Sequence, residues 1–306
     1  MTVIVRDFRP ADGEGWVRVR RAALPFMVTT PEQVAFDLAN AHPDKRYRML
    51  VAEEDGEVIG TAQVGIAYDA DEPGQGFLNP YVHPDHLGRG VGTLLTQTGE
   101  AHLAEAGATA VYTWVLDEPA NRTFAEHRGY RASRPAHFLH LDLANTPLPE
   151  LQSPPSGVEL RTAAAFADDP RPLFEADAET TSDEPSDVPT TFSDYEDWLT
   201  HTWNHPALDR ALTSVAVVDG EVAAFSAANT DGLTRYWSGM TGTRRAHRGR
   251  GLAKLVKNDS LHRARAAGYT DAYTGNDADN APMLAVNTWF GYKICATEVR
   301  HVRELG

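Results

Sequence analysis

The sequence predicts an α/β protein of two tandem domains, each a central mixed β-sheet flanked by helices. The first observation behind this is an internal repeat. Val51-Ala52-Glu53-Glu54-Asp55-Gly56-Glu57-Val58 returns as Val215-Ala216-Val217-Val218-Asp219-Gly220-Glu221-Val222. Leu87-Gly88-Arg89-Gly90-Val91-Gly92 returns as Arg248-Gly249-Arg250-Gly251-Leu252-Ala253, and Gly129-Tyr130 returns as Gly291-Tyr292. The offsets are 164, 161 and 162 residues, in the same order along the chain. The second observation is that both halves alternate period-two runs with helical runs in one order, βααβββαβαβ. The third is length: 306 residues give two halves of ordinary domain size. The domains are expected at 1–145 and 158–306. The segment 146–157, rich in proline, reads as a stiff linker between them.

In the first half an alternating strand runs from Thr2 to Phe8, followed by a helix from Ala11 to Ala23. Thr30-Pro31-Glu32-Gln33 opens the next helix, with a capping threonine, proline at the first helical position and a capping-box glutamine. Tyr47–Glu53 and Glu57–Tyr68 are strands around the Asp55-Gly56 turn, a hairpin signal. Strand Gly76–Val82, helix Val91–Ala106, strand Ala110–Val115, helix Asn121–Arg128 and strand Ala136–Leu143 complete the repeat. The second half follows suit. Strand Val158–Thr162 and a helix come first, then a capping box at Ser193–Glu196 and a helix to Trp203. Strands Thr213–Val218, Glu221–Ala228 and Arg235–Thr243 follow, then helix Leu252–Ala267, strand Asp271–Thr274, helix Ala281–Trp289 and strand Tyr292–Val302. The second half alone carries a long acidic loop, Thr180 to Pro189, whose Asp183, Glu184 and Asp187 could line a substrate site and attract a cationic amine.

Apolar residues make up 42% and charged residues 23% of the chain, which places it among soluble globular proteins. No apolar run approaches the roughly 18 residues of a membrane span, and the start has no signal-peptide pattern, so a cytoplasmic location is expected. The single cysteine, Cys295, excludes an intramolecular disulfide and a multi-cysteine metal site; no metal is expected, and the apolar run around Cys295 predicts a buried thiol. The net charge of −15 argues against a nucleic-acid partner. Against it stands one basic island, Arg244, Arg245, His247, Arg248 and Arg250, beside glycines, which points to a polyanionic ligand.

In both halves a strand runs into a glycine-rich turn that opens a helix. Such a turn presents backbone N–H groups without intrahelical partners, at the positive end of the helix dipole, and a pyrophosphate suits it. No Gly-Lys-Ser/Thr follows, which excludes a Walker site, and Gly-x-Gly-x-x-Gly spacing is absent, which excludes the dinucleotide fingerprint.

Arg248-Gly249-Arg250-Gly251-Leu252-Ala253, entered from Thr243-Arg244-Arg245-Ala246-His247, resembles the Gln/Arg-x-x-Gly-x-Gly/Ala motif of the GCN5-related N-acetyltransferases (GNAT). The resemblance covers nearly all of both halves. It implies that this loop cradles the pyrophosphate of acetyl-coenzyme A or another acyl-coenzyme A, the co-substrate, in the second domain. The first domain, with Leu87 at the Gln/Arg position, is a degenerate copy. Its second possible coenzyme site comprises Tyr81, Val82, Leu87, Gly88, Arg89, Gly90, Val91, Gly92 and Asn121, with His83 and His86 as surface residues. In the family an asparagine contacts the pantetheine arm and a tyrosine protonates the departing thiolate. The tyrosine position holds Ala125 in the first copy and Asn287 in the second. Asn276, Asn280 and Asn287 are thus expected to face the coenzyme arm, and backbone groups of Met240, Thr241, Gly242 and Thr243 to face the thioester. Asn287, Tyr273 and Tyr292 are the catalytic candidates, with Tyr236 a further replacement for the missing acid.

Neither fourth strand, Gly76–Val82 or Arg235–Thr243, contains a carboxylate, so acyl transfer without a strong protein base is expected, driven by proximity. The resemblance makes the chain an N-acyltransferase for a small amine, such as a metabolite, antibiotic or amino sugar, with catalysis in the second domain. A second reading replaces the donor by an acyl-carrier protein docked on Arg244 and Arg245. A third makes the chain a non-catalytic acyl-coenzyme A sensor or scaffold.

Overall fold

The computed structural model describes residues 2–70, 72–183 and 194–305. The first repeat comprises β1 (Ile4–Asp7), α1 (Gly13–Ala23), α2 (Pro31–Ala39), β2 (Arg48–Glu54), β3 (Glu57–Ile66), β4 (Gln75–Val82), α3 (Val91–Glu105), β5 (Ala110–Leu116), α4 (Pro119–Glu126) and β6 (Arg131–Asp142). The second comprises β7 (Val158–Thr162), α5 (Arg171–Thr181), α6 (Tyr195–Trp198), β8 (Ser214–Val218), β9 (Glu221–Thr230), β10 (Arg235–Thr243), α7 (Leu252–Ala266), β11 (Asp271–Asp277), α8 (Ala281–Trp289) and β12 (Lys293–Glu304). The expected order holds in both halves. The Thr30 capping box forms as read: Thr30 Oγ1 accepts from the Gln33 amide at 3.2 Å and Gln33 Oε1 from the Thr30 amide at 3.1 Å. Both hairpins turn through a left-handed pair, Asp55-Gly56 and Asp219-Gly220, with φ of 51° and 85° in each. The Ser193 half of the other capping box lies outside the described residues. Asp194 is the residue that caps α6, accepting from the Glu196 and Asp197 amides. That helix gives way to a π-turn, Leu199–Trp203.

The chain divides into two compact units, but not at the proline-rich segment. Unit 1 is residues 1–136 with 296–306, and unit 2 is residues 137–295. The first repeat therefore gives half of its last strand to the other unit, and the second gives most of its own. Unit 1 has the strand order β1-β2-β3-β4-β5-β12, and unit 2 the order β6-β11-β10-β9-β8-β7. β12 pairs antiparallel with β5 from Glu298↔Leu116 to Glu304↔Ala110. The proline-rich segment lies against α7 inside unit 2. The Pro149 carbonyl accepts from Asn258 Nδ2 and His262, and the Gln152 amide donates to Asn258 Oδ1.

Both sheets are covered on two faces, so their central strands are apolar on both sides. In unit 1 Leu50, Ile59, Leu78 and Val111 pack under Leu95 and Leu103 of α3, while Met49 and Val51 pack with Trp16 and Val34 of α1 and α2. In unit 2 Val215, Val217 and Phe225 meet Leu173 and Trp198, and Ala216 and Ala224 meet Leu252 and Val256 of α7.

Cys295 is exposed, not buried as its neighbours predict. The apolar run falls at the first residues of β12, where Ile294 is exposed as well. Local composition cannot register which strand ends are covered.

Candidate active site

In each unit the two central parallel strands pair briefly and then part. β4 pairs with β5 only from Gln75↔Ala110 to Phe77↔Tyr112, and β10 with β11 only from Arg235↔Asp271 to Trp237↔Tyr273. Beyond those pairs side chains bridge the strands: Asn79 Oδ1 accepts from the Trp114 amide in unit 1, and Thr274 Oγ1 donates to the Ser238 carbonyl in unit 2.

The glycine loops follow β4 and β10, each through one 3-10 turn, and have the same form. Gly88 and Gly90 have φ of 73° and 81°, Gly249 and Gly251 of 76° and 77°. A side chain would strain this left-handed backbone. No atom lies within 4 Å of where a Cβ would project at any of the four, so the loops face open space. Gly90 and Gly251 are the N-caps of α3 and α7, and neither helix start receives a side-chain hydrogen bond. The first amides of both helices are left for an anion.

The charges around the loops differ. Arg89 Nη2 donates to both oxygens of Glu54, at 2.5 and 2.8 Å, and Glu54 is only 8% exposed. Arg250, the equivalent cation, hydrogen-bonds His247 Nδ1 at 3.1 Å and has no carboxylate in ion-pair range among the described residues. The cause is legible in the repeat, where Val218 stands at the position of Glu54. The rest of the basic island is anchored by the end of α5. Arg244 pairs with Glu179 at 2.8 Å, while Arg245 and Arg248 both bind Asp183. Hydrogen bonds from Arg245, then Arg248, hold the Asp183 carboxyl down at about 2. Asp183, expected as a lure for cationic substrate, is thus the clamp of the glycine loop. Glu184 and Asp187 lie outside the described residues.

β10 departs from β4 in one further respect. β4 keeps one unbroken register with β3, whereas β10 takes an extra residue against β9 between Ser238 and Thr241. The bulge leaves main-chain groups near Gly239 and Met240 without regular ladder partners. Thr241 Oγ1 bonds Ser226 Oγ at 3.0 Å. Gly242 is pressed against α5: a Cβ there would lie 2.7 Å from Thr180 Cβ.

The asparagines expected at the coenzyme arm do other work. Asn280 caps α8, its Oδ1 accepting from the Met283 amide at 3.2 Å. Asn287 is fully buried, accepting from Lys257 Nζ and donating to Asn276 Oδ1, so its amide is engaged inside the fold. Lys257, which no motif in the sequence singles out, is itself fully buried, and burial pushes its amine down to about 7. Its Nζ lies 5.1 Å from the ring centre of Tyr292, which is buried with its hydroxyl unbonded. Tyr236 is likewise interior, hydrogen-bonded to Ser260 at 2.7 Å. Tyr273 is half-buried at the last paired position of β11, its ring stacked on His140 at 4.8 Å. In unit 1 Leu87 is 62% exposed, Asn121 sits half-buried in the first turn of α4, Tyr81 and Val82 end β4, and Gly92 and Val91 begin α3 with Gly92 close to the Phe124 ring.

In each unit two parallel strands part beside a helix N-terminus that no side chain caps. Comparison with known proteins agrees with that form. The model of the acetyltransferase (GNAT) family matches residues 16–130 and again 173–292. A mycothiol acetyltransferase of Nocardia farcinica is 32% identical over 257 residues, covering 83% of this chain and 82% of that protein. One of Clavibacter sepedonicus is 32% identical over 227 residues, 72% and 71% of the two. A GCN5-related N-acetyltransferase from Sphaerobacter thermophilus has a like fold, with a TM-score of 0.73 at 24% identity over 99% of this chain and 95% of that one. A tandem GNAT protein from the clavulanic acid biosynthesis pathway gives 0.75 at 19% identity over 100% and 99%. With the motif, the parted strands and the fold found in both halves, the chain belongs to the acetyltransferase (GNAT) family and is an acetyltransferase.

Proposed function

We propose that the protein transfers an acetyl or related acyl group from acyl-coenzyme A to a small amine, with the coenzyme's pyrophosphate on residues 249–253 of unit 2. The observation that carries this is the pairing of a bare helix start at Gly251 with a cation, Arg250, that no carboxylate among the described residues neutralises. Backbone donors and an uncommitted guanidinium are what a pyrophosphate needs. Main-chain groups at the Gly239–Met240 bulge are available to the thioester carbonyl, where donors aimed at the developing oxyanion lower the barrier. An alkyl amine, with a pKa of about 10 in water, must lose a proton before it attacks. Among the three catalytic candidates Tyr273 stands at the parting of the strands, and it is the group proposed to protonate the departing thiolate. The relatives' shared name makes mycothiol-related amines the first acceptors to try. A carrier-protein donor has less support, because Arg244 and Arg245 are engaged by Glu179 and Asp183.

Calorimetric titration with acetyl-coenzyme A tests the assignment on wild type, Gly251→Glu and Gly90→Glu, with Gly251→Ala and Gly90→Ala as controls for backbone strain. Loss of the unit 2 site in Gly251→Glu, with its retention in Gly251→Ala, is expected. Loss in Gly90→Glu alone moves the coenzyme to unit 1, and no binding by wild type rejects the acyl-coenzyme A reading.

A further inference from the structure

Unit 1 holds a group of side chains that the coenzyme loop does not use. β4 and β5 pair in register up to Phe77↔Tyr112, and the same register carried forward sets Tyr81 level with Leu116. Leu116 pairs with Glu298 of β12. Residues level with one another in adjacent strands project to one face of the sheet. Tyr81 and Glu298 therefore share a face, on opposite sides of the parting between β4 and β5. Arg20 of α1 lies over that face, its guanidinium 4.5 Å from the centre of the Tyr81 ring. Arg20 is only 8% exposed, and its Nε and Nη1 are buried without a hydrogen-bond partner among the described residues. Both Arg20 and Glu298 act on the Tyr81 hydroxyl, the first lowering and the second raising its pKa against a larger upward effect of burial. Glu298 itself is half-buried, and burial alone pushes its carboxyl up to about 7.

A buried guanidinium with idle N–H groups and a half-buried carboxyl are each costly alone. They persist together, with an aromatic ring between them, where the strands open. The positions that correspond to Glu298 and Tyr81 in the other copy hold neither a carboxylate nor a tyrosine. The sixth residue after Gly129-Tyr130 is Ala136, where the sixth after Gly291-Tyr292 is Glu298, and Gly242 stands in the loop register at the place of Tyr81. The pair is thus a property of unit 1, and its carboxyl comes from the far end of the chain.

We propose that this face of unit 1 binds a small molecule bearing both an amine and a carboxylate, the carboxylate on Arg20 and the amine on Glu298. The proposal goes beyond the acyltransferase reading of unit 2 and gives unit 1 a transfer of its own, with a second thioester held at the Gly88–Gly92 loop. A proton passes from the ammonium nitrogen to a Glu298 oxygen. The freed lone pair forms the N–C bond at the thioester carbonyl, the C–S bond breaks, the sulfur leaves with the bonding electrons, and the second surplus proton of the nitrogen passes through water to the thiolate. The carboxylate that neither fourth strand supplies is thus delivered by β12. Other titratable or charged groups on this face are Tyr47, which feels Arg20 and Asp37, and Arg300, stacked at 4.0 Å on Tyr112.

The test is titration of glycine, β-alanine, γ-aminobutyrate and L-glutamate, beside ethanolamine and butylamine, into wild type, Glu298→Gln and Arg20→Met. Thermal melts confirm folding, and Arg20→Lys replaces Arg20→Met if that variant is not folded. At least one amino acid is expected to bind, about tenfold more weakly to each variant, as for loss of one charge-assisted contact, while the amines without carboxylate do not bind. In wild type the carboxyl carbon of Glu298, followed by NMR, titrates near neutrality and at lower pH once the amino acid is bound. Binding that is absent in wild type, or equal in all variants, overturns the proposal. Acetyl-coenzyme A is titrated separately into Gly251→Glu, where the Gly88–Gly92 loop alone is left to hold it. If it fails while the amino acid behaves as expected, the transfer chemistry falls and the pocket stands. The reverse result sinks the pocket alone.

Discussion

Arg250 and Arg89 occupy the same place in two glycine loops and meet different neighbours. Arg89 is held by the buried carboxylate of Glu54, while Arg250 bonds, among the described residues, a histidine nitrogen alone. A charge-assisted contact is worth about 1.5–3 kcal/mol, so Arg250→Ala is expected to weaken acetyl-coenzyme A binding about tenfold or more and to flatten its salt dependence. Arg89→Ala should change it little, and calorimetry at two ionic strengths checks both. The signal was in the sequence, as the Glu54–Val218 difference, but its meaning needed the distance between β2 and the loop. Lys257 shows the opposite case, for nothing in its helical surroundings marks it as buried. Its folded pKa, about 7, lies below the ordinary 10.5. The folded state then binds fewer protons between those values, and stability rises with pH across the window. Lys257→Met removes that slope but leaves Asn287 Oδ1 without its donor, at a cost of about 1–3 kcal/mol. Melting temperatures of both proteins from pH 7 to 10 should show wild type gaining on the variant. Equal slopes would contradict the burial of this amine.

At the scale of elements, the close approach of α5 to β10 depends on a missing side chain. Gly242→Ala would drive a Cβ to within 2.7 Å of Thr180 Cβ, and overpacking of this kind costs about 1–3 kcal/mol. Thr180→Ala should not relieve a clash with Cβ itself, whereas Thr180→Gly should recover part of the loss in a double-mutant cycle of denaturant unfolding. The elements were readable because periodicity and caps are local. Thr30 with Gln33 and the two Asp-Gly turns act within four residues. The bulge in β10 was not read, although it has a trace in the chain. Twelve residues separate Phe77 from Arg89 and thirteen separate Trp237 from Arg250, and only strand pairing shows where the extra residue sits.

At the scale of the molecule, the feature with the widest consequence is the exchange of final strands. Ending the chain after Cys295 removes the residues of β12 that pair with β5, so unit 1 loses its sixth strand and Glu298 with it. Unit 1 is expected to melt at lower temperature in that truncation while unit 2 keeps its own transition, which calorimetry can separate. In the full chain, Glu298 binds a proton in the folded state up to about pH 7, above the usual carboxylate range. Its contribution to stability is present at low pH and is lost as pH rises through 7. Glu298→Gln should abolish that part of the pH dependence.

The sequence by itself determined the duplication, the element order and the glycine loops, because each rests on short-range rules: repeat spacing, side-chain periodicity, and left-handed backbone that glycine alone adopts freely. Tertiary structure alone decided which strand completes which unit, that Asp183 clamps Arg245 and Arg248, that Asn287 and Lys257 are interior, and that Cys295 is exposed. These depend on contacts between residues far apart in the chain, and burial and charge pairing at a position are set by whatever the fold brings against it.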